Sequence, residues 1–242
     1  MNTQYPEGRD WRTNGTLFVH STFRTIQGEG PYAGHTAVFV RLAGCNLQCP
    51  FCDTDYTSKR HTATPNELVD IIRAFYRRTT ESPYANPSSD LVVVTGGEPF
   101  RQNITPFVRA LLDSDFRVQV ETNGVLYPGD DFPWADVCVV VSPKTPKIHP
   151  LTANQVTAYK YVLSHDSVAA DGLPTLALGY DTRKGAQVAR PPLDWTGPIY
   201  VQPMDANDPI ENDQNVQAVV KSVIEHPEYI MGVQMHKIAR LP

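Results

Sequence analysis

Two rhythms of apolar residues run along the chain. Ala37 to Leu42 (AVFVRL), the β-branched run Leu91 to Thr95 and the continuous run Val137 to Val141 have the length and composition of buried strands. Arg117 to Thr122, Tyr159 to Leu163, Ile199 to Gln202 and Gly232 to Met235 are expected to add further strands. Between them the apolar spacing becomes helical. Leu68, Ile71, Ile72 and Phe75 form one expected face, Phe107, Val108, Leu111 and Leu112 a second, and Val216, Val219, Val220 and Val223, within Asn215 to Glu225, a third. Thr64-Pro65-Asn66-Glu67 precedes the first helix with the residues that satisfy free N–H groups at a helix start.

Repeated strand, loop and helix units predict an α/β fold with a parallel sheet. Six or seven such strands in 242 residues suit an open or partial (β/α) barrel, with reactive loops at the C-terminal rim of the strands. Polar signals do recur where strands end: a cysteine loop after Leu42, Gly96-Gly97-Glu98-Pro99, Asn123-Gly124 and Ser142-Pro143-Lys144. A single domain is expected over residues 1–242, with an N-terminal extension (1–15), a polar loop from Thr79 to Asp90 and an insertion over 165–198.

The formal net charge is −5 and no segment carries more than two consecutive Lys or Arg residues, which argues against a nucleic-acid partner. The longest apolar runs are far shorter than the roughly 18 residues of a membrane span. The polar start MNTQYPEGRDWRTNG lacks an export signal, so a cytoplasmic location is expected.

Three of the four cysteines, Cys45, Cys49 and Cys52, form a C-x3-C-x2-C loop. A structural zinc takes four closed ligands, whereas a [4Fe-4S] cluster held by three thiolates leaves one iron open for an exogenous ligand. A zinc site completed by a nearby His or Asp stays open as the alternative. Cys138, inside an apolar run, is expected to be an inert core thiol. Taken singly, Arg41 and Glu121 read as strand-end charges, His236 as an ordinary histidine, and Gln27 to Gly30 as a flexible turn.

The cysteine spacing, with Phe51 before the third cysteine and the Gly96 to Pro99 loop downstream, resembles the radical S-adenosylmethionine (SAM) superfamily. Segments in order along the chain resemble, within it, the 7-carboxy-7-deazaguanine synthase family. They are Phe23 to Gly30, Phe39 to Cys45, Cys52-Asp53-Thr54, Thr95 to Pro99, Glu121 to Gly124, Ser142 to Lys144, Gln202 to Asp205 and Gln234 to Lys237, the chain ending at Pro242.

The resemblance implies a radical SAM barrel with the cluster loop after the first strand. It also implies conversion of 6-carboxy-5,6,7,8-tetrahydropterin to 7-carboxy-7-deazaguanine with release of ammonia. An adenosyl radical takes hydrogen from C6 of the pterin, the ring contracts, and SAM is regenerated. Cys45, Cys49 and Cys52 would hold the cluster and Thr54 would bind Mg2+. The pterin would meet Ile26, Gln27, Gly28, Glu29, Arg41, Thr95, Glu121, His236 and the carboxylate of Pro242. SAM would meet Phe51, Cys52, Asp53, Gly96, Gly97, Glu98, Ser142, Pro143, Lys144, Gln202, Pro203, Met204 and Asp205. A flavodoxin-like electron donor and a homodimer are family expectations. A glycyl-radical activase sharing the cysteine loop and a zinc-stabilised binding module are the competing readings.

Overall fold

A computed structural model describes residues 3–12, 14–76, 90–177 and 187–241. The described residues form a nine-stranded open sheet in the order β3-β1-β2-β4-β5-β6-β7-β8-β9, with β3 and β9 as its edges. Seven strands are mutually parallel: β2 (Thr36–Leu42), β4 (Leu91–Gly96), β5 (Arg117–Thr122), β6 (Val137–Val141), β7 (Ala158–Leu163), β8 (Ile199–Pro203) and β9 (Tyr229–Met231). Each parallel strand pairs with the next in sequence, as repeated strand–helix winding requires.

The alternation of side chains splits the parallel strands between two faces. Val38, Val40, Leu42, Val92, Val94, Val120, Val139, Val141, Tyr161 and Val201 pack into the main core. That core is covered by α1 (Pro65–Tyr76), α2 (Thr105–Leu112) and α4 (Pro209–Glu225). The opposite residues, Ala37, Leu91 and Val93 in one cluster and Cys138, Val140 and Ala158 in another, meet beneath Tyr32. Past this apolar layer the same face turns polar, and the candidate site begins there.

The strand and helix expectations hold in outline, with four corrections. β1 (Leu17–Ile26) pairs antiparallel with β2, and β3 (His61–Ala63) pairs antiparallel with β1; neither was expected. The cysteine loop thus follows the first parallel strand rather than the first strand of the chain. In α1, Val69 rather than Ile71 turns inward, Ile71 being 41% exposed. The third helix starts six residues early, at Pro209, because Asp208 caps it by accepting from the N–H groups of Ile210 and Glu211 at 2.9 and 3.0 Å. At the chain end the strand is Tyr229–Met231, and Met235 opens a short helix, α5 (Met235–Ala239).

The expected capping box is present: Thr64 N–H donates to Glu67 Oε2 at 2.8 Å and Glu67 N–H to Thr64 Oγ1 at 3.3 Å. Most of the polar loop from Thr79 to Asp90 and part of the 165–198 segment lie outside the described residues. The described remainder of the second segment is tied to the fold, with Leu173, Ala177 and Val188 in the core. Asp208→Ala should cost about 1 kcal/mol through loss of the cap. The melting temperature should therefore fall by about 2–4 °C, and an unchanged transition would show that the cap contributes nothing.

Candidate active site

A cavity of about 1140 Å³ opens at the C-terminal ends of the parallel strands. Ordinary small-molecule sites span roughly 300–1,000 Å³, so it has room for more than one ligand. The thiols of Cys45, Cys49 and Cys52 all face it. The Cys52 N–H donates to the Cys49 carbonyl at 3.2 Å, which turns the loop back on itself.

Burial pushes the Cys45 thiol up to about 12, with Glu98 adding to the effect, and Cys49 up to about 11, where Lys144 opposes. Cys52 is raised for the same reason. Among the described residues no three His, Cys, Asp or Glu side chains gather tightly enough to hold a single metal ion. A [4Fe-4S] cluster asks for something different, one thiolate on each of three separate irons. Three free thiols from one loop on one cavity wall fit that demand, with their protons displaced as metal binds.

Gly96 and Gly97 line the cavity beside the cysteine loop, and their lack of side chains serves first to bring two backbones together. A Cβ on Gly97 would lie 1.9 Å from the Gly44 carbonyl oxygen, and one on Gly96 2.2 Å from that of Leu42. The Gly97 and Glu98 N–H groups donate to the Leu42 and Gly44 carbonyls at 3.1 and 3.0 Å. Glu98 lies behind the wall, fully buried. It accepts from Thr122 Oγ1 at 2.6 Å and from the N–H groups of Asn123 and Phe100 at 2.8 and 2.9 Å. It joins the loops after β4 and β5 and does not line the cavity.

The N-terminal segment, read as an extension, braces the same loop. Glu7 N–H donates to the Cys45 carbonyl at 2.7 Å and Gln4 Nε2 to the Thr54 carbonyl at 3.0 Å. Arg101, buried to 2% exposure, donates to the carbonyls of Gly8 and Ala43, each at 2.9 Å.

The cavity floor carries a buried ion triad. Lys160, on β7, donates from Nζ to Glu29 Oε2 at 2.5 Å and to Glu121 Oε2 at 2.7 Å. Gln27 Nε2 and Gln119 Nε2 donate to Glu121 Oε1 at 2.8 and 2.9 Å, and Gln234 Nε2 to Glu29 Oε1 at 2.9 Å. Burial raises the Glu29 pKa, but Lys160, Gln234 and Gln202 together hold it down at about 2.

Ile26 and Thr95 line the wall, as does Arg41, whose guanidinium lies 4.7 Å from the Phe23 ring. Arg41 makes no hydrogen bond or ion pair among the described residues. A guanidinium stacked on a ring with its donors free is ready for a planar anion. His236, on α5, sits over Gly28 so closely that a Cβ there would fall 2.5 Å from its Nδ1.

Phe51, Asp53, Thr54, Ser142, Lys144, Gln202, Met204 and Asp205 complete the expected residues that reach the cavity. Lys144 Nζ donates to the Ser142 carbonyl at 3.0 Å and to its hydroxyl. Pro143 and Pro203 do not line the cavity, and Pro242 lies outside the described residues. Lys160 was missed, and Gln234 and Lys237, inside the Gln234 to Lys237 segment, were given no role. Lys237 pairs with Asp53 at 3.3 Å and with Asp205 at 3.1 Å, so α5 spans two sides of the opening. The available signal was a lysine inside the otherwise apolar strand AYKYVL.

No family model matches the chain. A 7-carboxy-7-deazaguanine synthase of Rhodospirillum rubrum is 37% identical over 241 residues, covering 97% of this chain and 96% of the relative. The chain belongs to the 7-carboxy-7-deazaguanine synthase family. A second member, from Rickettsia prowazekii, is 36% identical over 91% of this chain and 87% of its own length. The crystal structure of QueE from Escherichia coli superposes with a TM-score of 0.63 at 21% identity, covering 90% of this chain and 94% of that one, a likeness of fold. For this member of the 7-carboxy-7-deazaguanine synthase family, Gly97→Ala should separate the glycine and cysteine loops. We expect most cluster iron to be lost from reconstituted protein with far-ultraviolet circular dichroism retained, and full iron loading would contradict the close contact.

Proposed function

We propose that this protein is a radical SAM lyase that converts 6-carboxy-5,6,7,8-tetrahydropterin to 7-carboxy-7-deazaguanine with loss of ammonia, in 7-deazapurine biosynthesis of the queuosine type. One observation carries the reading: a chain that matches a family member over 97% of its residues gathers three loop thiols and a charged, hydrogen-bonding floor in a single cavity. A thiol wall alone would fit many radical SAM reactions. A floor of paired carboxylates with a free guanidinium on the same cavity suits a flat heterocycle that bears both N–H donors and a carboxylate.

Cys45, Cys49 and Cys52 would hold the [4Fe-4S] cluster. The chemistry it supplies with SAM is one-electron cleavage that yields a hydrogen-abstracting adenosyl radical. Phe51, Asp53, Gly97, Ser142, Lys144 and Gln202 to Asp205 would seat SAM along the adjoining rim. Glu29 and Glu121 accept pterin N–H groups, Arg41 takes the substrate carboxylate, and His236 with Ile26, Gly28 and Thr95 confines the ring. Thr54, with its hydroxyl beside Asp53, would offer a hard oxygen ligand to Mg2+. The Pro242 carboxylate as a substrate contact, a flavodoxin-like donor and a homodimer complete the proposal on family resemblance, and a cytoplasmic site of action on the polar start of the sequence. No helix of the described residues is long and apolar enough to cross a membrane.

Anaerobic reconstitution followed by incubation with reductant, SAM, Mg2+ and the carboxypterin should give 7-carboxy-7-deazaguanine by mass spectrometry, without proportional loss of SAM. SAM cleavage without pterin conversion would overturn the substrate. Thr54→Ala should keep full iron content and raise the Mg2+ concentration needed for turnover; an unchanged Mg2+ dependence would remove Thr54 from the metal site.

A further inference from the structure

We propose that Lys160 is a positioning residue for substrate recognition: clamped between Glu29 and Glu121, it holds both carboxylates as a matched pair of acceptors for the adjacent N–H groups of an aminopyrimidinone edge. The inference rests on the proposed function, because that edge is the one a pterin ring presents.

The geometry makes the pair acceptors only. A carboxylate has about four lone-pair sites. Glu29 uses two, on Lys160 and Gln234, and Glu121 uses three, on Lys160, Gln27 and Gln119. Every one of these partners is a donor, and both carboxylates still face the cavity. Each therefore keeps at least about one site for a ligand N–H. The amide groups show the cost of this arrangement. With its NH2 end turned to Glu121, the Gln119 side-chain oxygen is buried without a partner, and so is that of Gln202 on the same cavity.

Lys160 is 5% exposed and is the only residue that ion-pairs with either carboxylate among the described residues. Other titratable or charged groups face the triad. Lys144 approaches from the loop after β6, Cys138 lies on β6 near Glu121, and Arg41 on β2 and His236 on α5 share the cavity. None of them pairs with Glu29 or Glu121. Without Lys160 the two carboxylates stay buried but lose their cation. Burial favours the neutral acid, so a buried pair of carboxylates without its cation takes up a proton more readily than the triad does. A protonated carboxyl presents an O–H where the ligand also presents N–H, and recognition fails.

The test compares reconstituted wild-type holoenzyme with Lys160→Met and Lys160→Arg, with cluster iron and visible absorption reporting folding. For Lys160→Met we expect KM for the carboxypterin to rise at least about tenfold with kcat changed less than about threefold. The acid limb of its kcat/KM profile should move up toward neutral pH, and Lys160→Arg, which keeps the charge, should return that limb to its wild-type position. If Lys160→Met does not load the cluster, Lys160→Gln, which keeps a hydrogen-bond donor but not the charge and leaves both carboxylates in place, takes its place with the same two readings. A wild-type KM, or a raised KM with an unmoved acid limb, would overturn the inference, the second result marking a purely structural lysine. Absence of pterin turnover in the wild-type enzyme would instead overturn the proposed function and the inference with it.

Discussion

Lys160 sits where three parts of the chain meet: the turn after β1 through Glu29, β5 through Glu121, and its own strand β7. Its side chain is 6% exposed, and those of Glu29 and Glu121 are 13% and 19% exposed. Removing three charges from water costs several kcal/mol per ion, and truncating one partner of such a group typically costs about 3–5 kcal/mol. Apolar replacements of the same volume for buried ion groups are often neutral or stabilising. The charges are therefore better explained by what the cavity must recognise than by what the sheet needs. The linkage has a definite sign. Because Glu29 is held at about 2, below an ordinary carboxyl, its contribution is complete above the unfolded pKa and is lost as pH falls from there through about 2.

At the other end of the cavity the constraint is steric. The backbone of the loop after β4 rests on the backbone of the cysteine loop, with no space for a side chain between Gly97 and Gly44. Glu98, one residue on, turns inward and fixes the loop after β5. Gln4 and Glu7 bond to the cysteine segment from outside, and Arg101 ties Gly8 to Ala43 just before it. The thiol loop and the glycine wall thus keep their relation through close backbone contacts and the buried Glu98 carboxylate, a supporting shell of the kind a precise site requires.

Much of this was legible in the sequence because it follows local rules. The β-branched runs at Leu91 and Val137 became buried parallel strands, and Thr64 with Glu67 became a capping box. The cysteine spacing placed three thiols in one loop. The hidden parts depend on tertiary pairing. β1 mixes Val19, His20, Ser21 and Thr22 because it lies toward the edge of the sheet, so neither period stands out. Met235 follows a strand that ends at Met231, and nothing local separates the short helix from a longer strand. Lys160 looked like a blemish in an apolar strand, since its two partners lie 131 and 39 residues away.

The central claim is that one cavity holds the cluster on its thiol wall and reads the substrate on its carboxylate floor. An anaerobic crystal structure with cluster, SAM and 6-carboxytetrahydropterin tests it most directly. The account predicts iron on Cys45, Cys49 and Cys52, the amino edge of the pterin within hydrogen-bond distance of Glu29 and Glu121, and its carboxylate at Arg41. A pterin seated elsewhere, or turned with its carboxylate against the Glu29–Lys160–Glu121 floor, would contradict it.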